Sequence, residues 1–159
     1  MSQPNKEVVI ATWKAFATRD AAQIEACFTE DAVWIVPERN ATALAFGRGE
    51  VRRMNRQQIA SFIANDWRRL FVSDVERDPM GIYSEGDTVV MLQRLRAKLA
   101  NGRAYDNVYC FVFKVRVGRI GEMREFMDTL SGFRQVFGEE SVSAVAPVVS
   151  NHESARVSA

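Results

Sequence analysis

Halfway along the chain the apolar spacing changes, and that change limits the fold more than any single motif. Up to residue 70 large apolar residues recur at helical spacing; from 72 onward they fall in strand-length runs separated by turns. The runs lie at about 72–83, 87–99, 104–116 and 119–131. Asn101-Gly102 between two of them is a strong hairpin signal, Val117-Gly118 a weaker one, and Glu85-Gly86-Asp87 marks a third turn. Ahead of them, Val9, Trp13 and Phe16 stripe a helix over 6–18, and Ile24, Cys27 and Phe28 one over 20–28. A short strand at 32–36 stops at Pro37. A third helix over 56–70 opens on an Asn55/Gln58 capping box and carries Ile59, Phe62, Ile63, Trp67 and Leu70 on one side. Helices followed by an antiparallel meander give an α+β fold rather than a wound α/β one. The irregular stretch 37–54, with Pro37, Gly47 and Gly49, is long enough to serve as a lid over a pocket.

The two hairpins predict which side chains share a face, because residues directly opposed across a ladder point the same way. Two-residue turns would set Arg96 opposite Asn107, Arg94 opposite Tyr109, Asn107 opposite Asp128 and Tyr109 opposite Phe126. One face then carries Leu92, Arg94, Arg96, Asn107, Tyr109, Phe111, Arg124, Phe126 and Asp128. The other carries Met91, Leu95, Val108, Cys110, Val112, Met123, Glu125 and Met127. The first, mixing aromatics with a few polar groups, suits a pocket. The second is too apolar to stay exposed and predicts a homodimer through the sheet. One bulge in the last strand would exchange Asp128 for Glu125 in the pocket.

Composition removes several function classes. Lys plus Arg is 21 against 20 Asp plus Glu, a net charge of +1, which argues against a nucleic-acid binder. The one histidine, His152, lies in a Ser/Ala/Val-rich stretch after Gly138. A histidine triad or multi-histidine metal site is therefore excluded from the main domain, and neither a metal nor a cofactor is expected. Cys27 and Cys110 sit among apolar neighbours and read as buried free thiols. No run approaches the roughly 18 apolar residues of a membrane helix, and MSQPNKEVV lacks a signal peptide's character, so a cytoplasmic protein is expected. The organisation predicted is one domain over 1–138 and a flexible tail over 139–159.

The succession of helix, FTEDAVW, long loop, helix, and NGRAYDNVYCFVFKVRVGRIGEMREFMDT resembles the nuclear transport factor two-like superfamily. Within it the chain is similar to SnoaL-like proteins, relatives of ketosteroid isomerase and limonene-epoxide hydrolase. GRAYDN (102–107) and MREFMD (123–128) carry the likeness, which spans about residues 5–135. The resemblance implies a cone: a curved antiparallel sheet packed on the N-terminal helices, cystatin-like, with a pocket at the open end and dimerisation through the sheet. It also implies pocket carboxylates as acid–base groups. Of the epoxide hydrolases' Asp–Arg–Asp set, Arg94 matches the arginine and Glu125 one carboxylate, but Arg96 holds the remaining position.

The candidate catalytic residues are thus Asp128, Glu125 and Arg94. The candidate ligand-binding residues are Trp13, Trp34, Phe62, Arg96, Asn107, Tyr109, Phe111 and Phe126. Two readings follow: a cofactor-independent isomerase, cyclase or hydrolase acting on an apolar oxygenated small molecule, or a non-catalytic ligand-binding or dimerisation module of the same fold.

Overall fold

The computed structural model describes residues 3–49 and 52–139. The chain runs α1 (Gln3–Thr18), α2 (Ala21–Ala26), β1 (Phe28–Ile35), α3 (Ala41–Ala45) and β2 (Arg53–Asn55). A helix then continues as α4 (Arg56–Ser61), a π-helical turn (Phe62–Asp66) and α5 (Trp67–Leu70). The remainder is β3 (Phe71–Glu85), β4 (Thr88–Leu99), β5 (Ala104–Arg116), β6 (Arg119–Met127) and α6 (Thr129–Phe137). Six strands form one curved, open sheet in the order β2-β1-β6-β5-β4-β3. Every neighbouring pair is antiparallel except β1 and β6, so the sheet is mixed rather than purely antiparallel.

Local signals explain most of these elements. The Asn55/Gln58 capping box forms in both directions and starts α4. Glu85 pairs with Thr88 across a two-residue turn that Gly86 enters at φ 56°. The tail expected over 139–159 lies, beyond residue 139, outside the described residues, as does His152. The last strand ends at Met127 instead of 131 because Asp128 caps a helix: its side chain accepts from the Ser131 N–H. The stretch 37–54 holds a short helix and a short strand, with Asn40 capping the helix.

Both hairpins differ by one residue from simple two-residue registers, and each difference has a local cause. Lys98 pairs with Ala104, so Ala100, Asn101 and Gly102 form a three-residue loop, with Gly102 taking the left-handed position at φ 84°. In the second hairpin Val117 and Gly118 make the two-residue turn, both at positive φ, and Val115 pairs with Ile120. Lys114 then pairs with Glu122, so Gly121 is an extra residue, a bulge. Each one-residue slip turns a strand over relative to β5. Arg94, Arg96, Leu92, Arg124 and Phe126 therefore leave the face of Tyr109 and Phe111, while Met91, Leu95, Met123 and Glu125 join it as buried residues. The expected apolar dimer face is split, since Val108, Cys110 and Val112 stay on the outer surface.

The core lies between the concave face and the helices. Val9, Ile24, Phe28, Ile59, Val89, Phe113, Ile120 and Met123 are fully buried. From α1, Trp13 stacks on Phe16 at 5.0 Å and meets Phe111 and Phe113 edge-on at 5.1 and 5.5 Å. No helix among the described residues is long and apolar enough to cross a membrane.

Candidate active site

A cavity opens between the concave face, α1, the 37–54 segment and the π-helical turn. Its volume is about 90 Å³. Trp13, Phe16, Trp34, Phe46, Phe62, Trp67, Phe71, Tyr109 and Phe111 supply aromatic walls, with Met54, Leu95 and Met123 among the aliphatic ones. The polar side chains reaching it are few: Asn40, Thr42, Arg48, Arg77, Gln93, Glu125 and the Tyr109 phenol. An apolar chamber with a small convergent polar set is the usual form of a small-molecule site.

Among the described residues Glu125 is the one carboxylate lining the cavity. The Gly121 bulge turns it inward from β6, and it is 7% exposed. No cation forms an ion pair with it among the described residues; the hydrogen bond it accepts comes from Asn40 Nδ2 at 2.9 Å. Asn40 is held by its other amide atom, because Oδ1 accepts from the Ala43 N–H at 3.0 Å as the cap of α3. The helix cap thus aims the amide N–H at the carboxylate. Burial in apolar surroundings pushes the Glu125 pKa up from 4.5 to about 7, with the Asn40 hydrogen bond and the nearby Trp34 indole opposing the rise. The Trp34 Nε1 itself is buried without a well-formed hydrogen bond among the described residues.

Two further groups are oriented from behind. Gln93 is buried, and its Oε1 accepts from Trp13 Nε1 at 2.7 Å. That bond fixes which end of the amide is which and leaves Nε2 without an acceptor among the described residues. Tyr109 shares a 2.6 Å hydrogen bond with the Tyr105 phenol, to which Asn107 Nδ2 donates at 3.3 Å. Burial raises both phenol pKa values, that of Tyr109 well above 10, so these hydroxyls stay neutral.

Of the residues singled out from the sequence, Glu125, Trp13, Trp34, Phe62, Tyr109 and Phe111 line this cavity. The others lie elsewhere. Asp128 is exposed at the start of α6, where it serves as the cap. Arg94 lies on the outer face in a two-pronged ion pair with Asp106, with both bonds at 2.6 Å. Arg96, on the same face, reaches Glu76 at 2.9 Å and Asp78 at 3.0 Å. Phe126 is 52% exposed there. Asn107 is buried on the inner side but behind the wall, donating to the Asp128 carbonyl at 3.0 Å. The sequence reading passed over Asn40, Gln93, Arg48 and Arg77. Gln93 had a visible mark: it is the polar member of the alternating set Met91, Gln93, Leu95 that the sheet buries.

A family model described as a SnoaL-like domain matches residues 9–123, most of the chain. The chain belongs to the SnoaL-like domain family. Solved structures agree on the architecture of this SnoaL-like protein. A nuclear transport factor two-like protein of unknown function from Burkholderia pseudomallei superimposes with a TM-score of 0.71 at 22% identity, covering 86% of this chain and 99% of that one. A protein described as a putative SnoaL-like polyketide cyclase, from Jannaschia sp., gives 0.64 at 20%, covering 86% and 93%. An LEH-like epoxide hydrolase from M. tuberculosis gives 0.64 at 18%, covering 85% and 90%. A search of curated proteins returned no match.

Proposed function

We propose that this SnoaL-like protein is a cofactor-independent enzyme in which Glu125 moves a proton on an apolar, oxygenated small molecule. The observation that carries the reading is a solitary carboxylate, buried in an aromatic cavity, whose pKa of about 7 leaves it half ionised at neutral pH. A group poised there can act as base and as acid in one cycle. As base, the Glu125 carboxylate would take a proton from a carbon beside a substrate carbonyl, and the electron pair left behind would move onto the carbonyl oxygen. The Gln93 Nε2–H, held by Trp13, is a donor available to that oxygen. Glu125, now protonated, would return its proton to a second carbon, as in an isomerisation, or to the oxygen of a product, as in a ring closure.

Proton transfer at carbon is favoured over epoxide opening by the position of Arg94. The resemblance to epoxide hydrolases gives that arginine a pocket role, but here it is bound to Asp106 on the outer face. The test is a panel of cyclic ketones, terpene epoxides and polyketide-like aromatic esters in deuterium oxide, followed by proton NMR. Deuterium should enter beside a carbonyl, with a rate that rises through about pH 7, and Glu125→Gln should lower it by roughly two to four orders of magnitude. Ligands that bind, as seen by tryptophan fluorescence, without turnover of any class would move the protein to the binding-module reading.

The proposal includes a homodimer through the outer face of the sheet. Val108 and Phe126 are 42% and 52% exposed there. Half-exposed Leu92, Cys110 and Val112 lie on the same side, and such a joined apolar patch is uncommon on a monomer. Light scattering at micromolar concentration should give twice the chain mass; a stable monomer removes this part of the proposal.

A further inference from the structure

The cavity holds a cation whose counter-charge the fold has placed on the wrong side. Along β3, Glu76, Arg77 and Asp78 pair with Arg96, Leu95 and Arg94 of β4. Strand alternation sends Glu76 and Asp78 to the outer face, where both bind Arg96. Arg77 goes to the concave side with Leu95, and both line the cavity. Its guanidinium lies 4.8 Å from the centre of the Trp67 ring, which is stacked on Phe71 at 4.6 Å. No described carboxylate forms an ion pair with Arg77. The other arginine of the cavity, Arg48, is different: Asp66 holds it at 2.7 Å. Arg77 is also solvent-exposed while lining the cavity, so it marks the mouth, whereas buried Glu125 marks the inner end. The protein packed around Arg77 and the neighbouring Arg19 charge both disfavour its cationic form, a cost that a bound anion would offset.

We propose that the ligand of this cavity carries an anionic oxygen group, a carboxylate or an ionised enol or phenol, which Arg77 binds at the mouth while the apolar body extends inward. The proposal rests on the reading of Glu125 as the working end of the cavity. Arginine suits the task because its planar fork can meet two oxygens at once while its face stays stacked on Trp67. The neutral walls between the two ends would then require a largely aromatic or alicyclic body. A ligand bound this way presents its uncharged end to Glu125, so the two negative charges are kept apart.

The experiment compares naphthalene-2-carboxylate with naphthalene-2-carboxamide, two probes of nearly equal shape, by quenching of tryptophan fluorescence at pH 6, where Glu125 is mostly neutral. The wild-type protein should bind the carboxylate about tenfold or more tightly than the amide. Arg77→Met should bring the two affinities together by weakening the carboxylate alone, and the wild-type preference should shrink as salt is added. Should the methionine variant fail to fold, Arg77→Gln answers the same question. Equal binding of the two probes by wild type, a preference that survives in the Arg77 variant, or no binding of either probe at millimolar concentration overturns the proposal. The readout needs no turnover. Glu125→Gln should keep the carboxylate preference, so an error about Glu125 and an error about Arg77 show up in different measurements.

Discussion

Replacing Glu125 by glutamine makes the protein more stable above neutral pH. The sign follows from the folded and unfolded pKa values. In the unfolded chain a glutamate titrates near 4.5, while in the fold Glu125 titrates near 7 because burial disfavours its charge. Below pH 4.5 both states hold the proton, and the contribution of this group to stability is complete. Between 4.5 and 7 the unfolded chain releases its proton while the folded chain keeps it, so stability falls as pH rises. Above 7 the loss has reached about 3 kcal/mol and stays there. Glutamine has no such proton to lose. The stability difference between Glu125→Gln and wild type should therefore grow by about 3 kcal/mol from pH 4 to pH 8, a melting-temperature gain of roughly 6–12 °C. Urea unfolding at several pH values measures it directly, and parallel curves for the two proteins would show that Glu125 titrates normally. A variant that is both inactive and more stable would identify Glu125 as a group retained for chemistry at the expense of the fold.

Inserting one residue between Glu122 and Met123 should be far more damaging than replacing Gly121. The atoms nearest to a side chain at position 121 are those of the Arg116 guanidinium, a flexible surface group bound to Asp31. Gly121→Ala should therefore cost no more than a surface ion pair, about 0–1 kcal/mol. The insertion keeps the Lys114–Glu122 pair and moves every later residue of β6 on by one place. Arg124 and Phe126 would then point into the core in place of Met123 and Glu125. An unpaired arginine forced into an apolar interior costs several kcal/mol, and the fully buried packing of Met123 is lost with it. Since a whole domain is typically stable by only about 5–15 kcal/mol, the insertion should leave no native state. Near-ultraviolet circular dichroism of the two variants checks this: Gly121→Ala should keep the wild-type aromatic signal and the insertion should abolish it.

The α+β class, the order of the main helices and strands, and the three hairpins were legible because they depend on local spacing and turn chemistry. The capping box at Asn55 and Gln58 formed as read. What was not legible was which way each strand faces. That depends on whether a loop holds two or three residues and on one extra glycine, neither of which alters the periodicity of the strands. Asn101-Gly102 reads as a two-residue turn, yet Ala100 joins the loop and Arg94 turns outward to Asp106. The bulge alternative was visible as a possibility, and the structure realises it in placing Glu125 inside the cavity. Asn40 escaped notice because its role depends on Glu125, 85 positions away in sequence. Asp128 drew attention as a carboxylate beside the pocket strands, although the residues that follow it let it begin α6 instead.

The π-helical turn at Phe62–Asp66 gives the opposite wall a similar dependence. Phe62 and Trp67 both border the cavity, although five residues separate them. In a regular α-helix that separation would set them well apart around the axis; the wider turn returns them to the same side. One added residue in a helix and one in a strand thus each decide which side chains reach the chamber. A change of chamber shape in this protein is accordingly a matter of insertion and deletion as much as of side-chain exchange. Variant libraries that alter length by one residue at 62–66 would reach cavity shapes that substitution alone cannot.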